Sequence, residues 1–176
     1  MIVVGIDPGL HGAVAVLSFV QPGLPPYILD IFDMPTIAIT KGAKNSTAVD
    51  WPEYVNILEY IRLYGPKLLV FERVGAMMKQ GVKQGTVSAF TFGATAGGQQ
   101  QLARYILGCR MELAVPVVWK RTMKVGTADG DILTRTQYYF PGEDARWKTP
   151  RGRLLDGRCE AALLAAYGQY LMEAKR

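Results

Sequence analysis

Val3-Val4-Gly5-Ile6-Asp7-Pro8-Gly9-Leu10-His11-Gly12-Ala13-Val14-Ala15-Val16 decides how the rest of the chain is read. An apolar run from Ile2 to Ile6, rich in β-branched residues, predicts a buried strand. A second run, Gly12 to Phe19, predicts its hairpin partner. Asp7 ends the first strand, where Pro8 removes a backbone donor and Gly9 permits the turn. A carboxylate at that depth is costly unless a positive group meets it, and a metal ion is one such group. An Asp that only orders its own turn is the simpler alternative.

Working outward, Gln21 to Pro26 reads as a turn and Tyr27 to Phe32 as a third strand, so the first three strands form an antiparallel meander. Thr36 to Val49 is polar, contains Lys41 and Lys44, and shows no clear periodicity; it is expected to be a loop. Asp50 has the character of a helix N-cap, followed by Pro52 and Glu53. Trp51, Tyr54, Val55, Leu58 and Ile61 then recur at helical spacing to about Leu63. After Gly65-Pro66, the run Lys67 to Glu72 predicts a fourth strand that again ends on a carboxylate. A crossover through a helix implies that this strand runs parallel to the first. Val74 to Gly85 is expected to be a flexible loop.

Thr86 to Leu107 predicts a long helix with many small residues, among them Gly93, Gly97 and Gly98. Glycine costs about 1 kcal/mol inside a helix, so another backbone, of this chain or of a second copy, is expected to come close. A fifth strand, Met111 to Val115, is followed by a short helix from Pro116, a helix over Ile132 to Tyr139, and a last helix over Gly157 to Glu173. These elements make one α/β domain spanning residues 1–176, with a mixed five-stranded sheet flanked by helices. The sheet combines the three-strand meander with two parallel strands.

The 176 residues are 49% hydrophobic and carry a formal charge of +5. That length suits a single packed core. No apolar run approaches the roughly 18 residues of a bilayer span, and the N-terminus has no signal-peptide pattern. Cys109 and Cys159 lack both metal-ligand spacing and disulfide density. A soluble cytoplasmic protein without a membrane partner is expected. From Pro116 to Arg158 nine basic residues stand against five acids, so +4 of the net charge lies in a quarter of the chain. Arg146-Trp147-Lys148-Thr149-Pro150-Arg151-Gly152-Arg153 mixes cations with an aromatic, a composition suited to phosphate and base contacts.

If the first and fourth strands are parallel neighbours, Asp7 and Glu72 meet at one sheet edge. Asp156 and Glu160, spaced i,i+4, share a face at the start of the last helix. Acids there are also ordinary dipole partners. Converging carboxylates repel one another unless cations neutralise them. Hard divalent ions such as Mg²⁺ take oxygen ligands, and a pair about 4 Å apart can drive phosphodiester hydrolysis.

Gly-Ile-Asp-Pro-Gly-Leu-x-Gly-Ala at Gly5 to Ala13 resembles the opening motif of RuvC-type Holliday-junction resolvases, particularly their phage-like branch. The resemblance continues through Phe32 to Pro35, Val70 to Met77, Phe90 to Gly93, Val115-Pro116 with Trp119-Lys120, and Asp156 to Ala161. It implies an RNase H-like fold and a homodimer formed through the 86–107 helix. It also implies paired nicking of four-way DNA junctions with two Mg²⁺ ions per active site, for which Mn²⁺ substitutes. Asp7, Glu72, Asp156 and Glu160 match its metal ligands, and either Asp156 or Glu160 is the stronger of the last pair. Lys120 matches a basic residue near the reacting phosphate, with Lys124 a second choice. Lys79, Lys83, Lys120, Lys124, Arg146, Lys148, Arg151 and Arg153 are the candidate DNA contacts.

The chain departs from that pattern at His11, where related sequences often have a small residue, and at Asp129-Gly130-Asp131, where many have an Asp-Lys pair. Met77 and Met78 are either junction wedges or core residues. Three other readings remain: a broader debranching nuclease, a non-catalytic DNA-binding module of the same fold, and an actin-like ATPase suggested by Gly-Ile-Asp-x-Gly alone. The last needs two lobes, and the chain has room for one.

Overall fold

The computed structural model describes residues 1–20, 25–41, 44–75, 78–79, 82–83, 85–128 and 130–174. Strand β1 (Ile2–Asp7) pairs antiparallel with β2 (Ala13–Ser18), which pairs antiparallel with β3 (Tyr27–Asp33). On its other side β1 lies parallel to β6 (Leu68–Glu72), and β6 parallel to β9 (Arg110–Ala114). The five-stranded sheet therefore has the order β3-β2-β1-β6-β9. The sequence predicted the antiparallel meander and the two parallel strands, since a crossover through a helix suits parallel pairing; the strand order comes from the structure.

The central strands are apolar on both faces because helices cover both. One layer joins Val3, Ala13, Ala15, Leu17, Leu68 and Val70 to α5 (Asp156–Glu173), α3 (Pro116–Thr122) and α4 (Asp131–Tyr139). On the other face Val4, Ile6, Val14, Val16, Leu69 and Phe71 meet α1 (Trp51–Arg62) and α2 (Thr86–Leu107). Such three-layer burial accounts for unbroken apolar runs where a half-exposed sheet would alternate.

Helix α1 starts as the sequence predicts: the Asp50 carboxylate accepts the Glu53 N–H at 3.2 Å, and Pro52 sits in the first turn. The glycines of α2 divide. Gly98 faces the Trp51 ring, which would lie 2.8 Å from a Cβ there, whereas Gly93 and Gly97 have no atom of the described chain within 4 Å of theirs. One close approach is thus met within the chain itself, by a side chain.

Two expected loops contain strands. Residues Thr36–Lys41 (β4) and Lys44–Val49 (β5) form an antiparallel hairpin in register from Thr36 opposite Val49 to Lys41 opposite Lys44. Its signal was the β-branched run Thr36-Ile37-Ala38-Ile39-Thr40. Because both faces are largely exposed, the polar–apolar contrast that reveals a half-buried strand is weak. Similarly, Met78–Lys79 (β7) pairs with Val82–Lys83 (β8). The side chains of Lys79, Lys83 and Met78, together with all of Met77, Asp129 and the tip of the expected 21–26 turn, lie outside the described residues.

Candidate metal and nucleic-acid site

Glycine packing sets the site. A Cβ at Gly5 would fall 2.1 Å from the Ala161 carbonyl oxygen, and one at Gly157 2.2 Å from the His11 carbonyl oxygen. Helix α5 therefore lies directly on β1 at Ala161 and on the Pro8–Gly12 turn at its first residues. Glu160, between those two contacts, is carried beside Asp7. Parallel pairing of Ile6 with Phe71 brings Glu72 to the same sheet edge.

The result is a cluster in which one carboxylate oxygen from each of Asp7, Glu72 and Glu160 lies within 4.8 Å of the other two. Burial raises the Asp7 carboxyl well above its ordinary range, and the charges of Glu160, Glu72 and Asp156 push it further. Burial and then Glu160 raise Glu72 as well, partly offset by a hydrogen bond from Trp119. Both shifts report negative charge crowded where water is scarce.

Adjacent residues of α3 hold the two glutamates. Trp119 Nε1–H donates to Glu72 Oε1 at 2.8 Å, and Lys120 Nζ donates to Glu160 Oε1 at 2.5 Å. Burial alone would lower the Lys120 ammonium, but its hydrogen bond to Glu160 and the surrounding carboxylates carry it above its usual value. The turn after Asp7 is held from α2: Gly9 N–H donates to the buried Gln99 side chain at 3.0 Å. Sequence reasoning gave neither Trp119 nor Gln99 a place in the site. An apolar helix start concealed the first. For the second, nothing in Gln99-Gln100-Gln101 reveals which amide turns inward.

Asp7, Glu72, Lys120, Asp156, Glu160 and His11 are among the residues lining a cleft of about 1510 Å³. Asp156 is an exposed residue in that lining and stands outside the three-acid cluster. Asp131 accepts the Ala128 N–H at 2.7 Å and so orders its own loop.

The proposed DNA contacts are not gathered with the acids. Lys120 alone among the described ones lines the cleft. Lys124 is exposed just beyond α3, in the left-handed region at φ 55°. Lys148, Arg151 and Arg153 are exposed on a loop tied by Thr149 N–H to the Arg153 carbonyl at 2.8 Å. One expectation for that loop fails. Trp147 is fully buried against Phe140, with ring centroids 5.8 Å apart, and has no face free for a base. The Arg146 guanidinium is paired with Glu143 at 2.6 Å. Arg158, counted in the same basic excess, grips both oxygens of Asp33 at 2.6 and 2.7 Å. An apolar ring beside a short loop buries more surface inward than it could in solvent.

No family model matches this sequence, and no curated protein does. Among solved structures, Thermus thermophilus RuvC superposes with a TM-score of 0.59 at 15% identity, over 98% of this chain and 97% of that one. T. thermophilus RuvC in complex with Holliday junction substrate gives 0.58 at 16% identity, over 97% and 96%. Agreement over nearly the full length of both chains, with the sheet order and crossovers described above, is agreement in architecture: this chain has the RNase H-like fold of RuvC.

Proposed function

We propose that this chain is a metal-dependent endonuclease that resolves four-way DNA junctions by paired nicks as a homodimer. The observation that carries the proposal is the convergence of Asp7, Glu72 and Glu160 at the ends of β1, β6 and the first turns of α5. The similarity to RuvC, solved in one case with a Holliday junction, supports the choice of substrate.

The donor set fits hard divalent cations. All three groups are carboxylates, with no thiolate or imidazole among them, and such sites favour Mg²⁺ or Mn²⁺ over softer metals. Asp7, Glu72 and Glu160 would hold two such ions, with Asp156 adding charge from the cleft wall. When bound, the metals supply an activated water and charge stabilisation at phosphorus. The protein's own groups do the orienting. Trp119 fixes the Glu72 carboxylate, a kind of support whose loss commonly costs ten- to a hundredfold in metal affinity or activity. Lys120 offsets the charge of Glu160 and offers a cation to a phosphate in the cleft. Gln99 holds the turn that exposes Asp7.

The homodimer reading rests on α2. Val87, Phe90 and Tyr105 are 80%, 76% and 87% exposed there, and the space beside Gly93 and Gly97 would admit a second backbone. No helix among the described residues is long and apolar enough to cross a membrane.

A cleavage panel of four-way junction, Y-fork, flap and linear duplex, in Mg²⁺ and in Mn²⁺, tests the proposal. Two symmetric nicks confined to the junction are expected. Equal cutting of all four substrates would reduce the claim to a general nuclease. Metal-independent binding with no cutting would make the chain a DNA-binding module.

A further inference from the structure

The cleft lining is not uniformly charged. Ile39, Ser46, Thr47, Ala48 and Val49 line it from the hairpin, and Thr91 and Thr95 from α2. These two parts adjoin, because Trp51, two residues beyond β5, lies against Gly98 of α2. Ser46, Thr47 and Thr91 are exposed, and Thr95 is half-buried. None of the four hydroxyls is hydrogen-bonded to another group among the described residues. From Met34 to Val49 the sequence has no acid, and its only charges are Lys41 and Lys44, which the register sets opposite one another.

The hairpin also stands apart from the main sheet, pairing with no other strand among the described residues. Two-stranded hairpins are marginal alone, and this one leaves Ile37 43% exposed. Its surface is therefore not explained by burial against the body of the protein. A phosphodiester brought to an acidic floor needs donors on the cleft wall beside the carboxylates. Neutral hydroxyls meet that need, and such groups are ordinary partners of nucleic-acid phosphates.

We propose that the β4–β5 hairpin and the adjoining Thr91–Thr95 face of α2 form a hydroxyl-bearing track for the sugar–phosphate backbone of the DNA strand entering the acidic floor. Ser46 and Thr91 donate to phosphate oxygens, while Ile39, opposite Ser46 in the hairpin register and so on its face, packs on the sugar edge. The track rests on the nuclease reading and adds to it a surface that positions the substrate without touching the metal ligands.

The test uses the full chain with Ser46→Ala and Thr91→Ala together, and separately with Ser46→Asp and Thr91→Asp. Affinity for a labelled four-way junction is measured across a salt series without divalent metal, and single-turnover cleavage at saturating protein in Mg²⁺. The alanine pair is expected to weaken binding by about tenfold, the effect of two modest hydrogen bonds. The salt slope should stay unchanged, since neutral donors displace no counterions. Saturated cleavage should remain within about twofold of the parent. The aspartate pair is expected to weaken binding well beyond the alanine pair. If both pairs bind as the parent does while the parent binds and cuts, the track is wrong and the nuclease reading stands. If the parent binds no branched DNA, both fall together. A loss of affinity matched by a lowered melting temperature would assign these residues to the fold and overturn the track.

Discussion

In the acidic floor side chains converge, and in the loop from Arg146 to Arg153 they disperse. Asp7, Glu72 and Glu160 come from three elements far apart in sequence and end within 4.8 Å of one another. Arg146, Trp147, Lys148, Arg151 and Arg153 are neighbours in sequence, yet one cation is paired with Glu143, the ring is buried, and three cations face solvent. Proximity along the chain is thus a poor guide to a shared site. A strand end or a helix turn has its direction fixed by backbone pairing. A loop side chain goes wherever burial or pairing favours it.

Replacing the acid at the centre of the floor should give the largest effect. Asp7→Asn is expected to lower cleavage by more than about a hundredfold, beyond the loss typical of removing a ligand's supporting hydrogen bond. Junction binding should be retained. The same substitution should stabilise the metal-free protein in thermal melts. Asp7 has its folded-state pKa raised above the usual 3.8, so the native state holds its proton where the unfolded chain has lost it. The parent is therefore penalised increasingly as pH rises above about 4 and through the raised value. The stability gap between variant and parent should widen with rising pH and close in acid. A gap that stayed flat with pH would mean that Asp7 is not a crowded, poorly hydrated carboxyl.

The next effect separates the buried member of the loop from its exposed members. Trp147→Ala should cost about 3–5 kcal/mol of stability, the range for emptying a large aromatic site, read as a lowered denaturation midpoint. A variant that kept its stability but lost DNA affinity would restore the ring to a base-contacting role. The smallest effect should come from Arg151→Glu with Arg153→Glu. Denaturation should move by no more than about 0.5 kcal/mol. Junction affinity should fall, and the slope of log affinity against log salt should decrease by about two. An unchanged slope would leave those arginines as solvated surface.

Much of the fold was legible because the relevant signals are local. Asp50 with Glu53 marked the start of α1, Pro116 the start of α3, and apolar runs ending at Asp7 and Glu72 marked both central strands. The β4–β5 hairpin was missed since a strand exposed on both faces has little contrast to read. At the site, Asp7 and Glu72 could be paired from topology. Choosing Glu160 over Asp156 could not: both lie on the helix face that an i,i+4 spacing defines, and only the docking depth of α5 at Gly5 separates them. Trp119 and Gln99 were hidden for a related reason. Each acts across elements, through a bond whose partner lies 47 or 90 residues away.

By itself, then, the sequence determined the strand ends, the helices and the positions where acids stand, because backbone propensity, capping and crossover handedness act over a few residues or follow from element order. Tertiary structure decided which acids meet, which cation pairs with them, which aromatic is core, and that Ile39 and Ser46 to Val49 line the cleft. Those outcomes depend on how closely helices approach the sheet. That distance is fixed at Gly5 and Gly157, where the absence of a side chain lets α5 lie against β1 and the turn after Asp7.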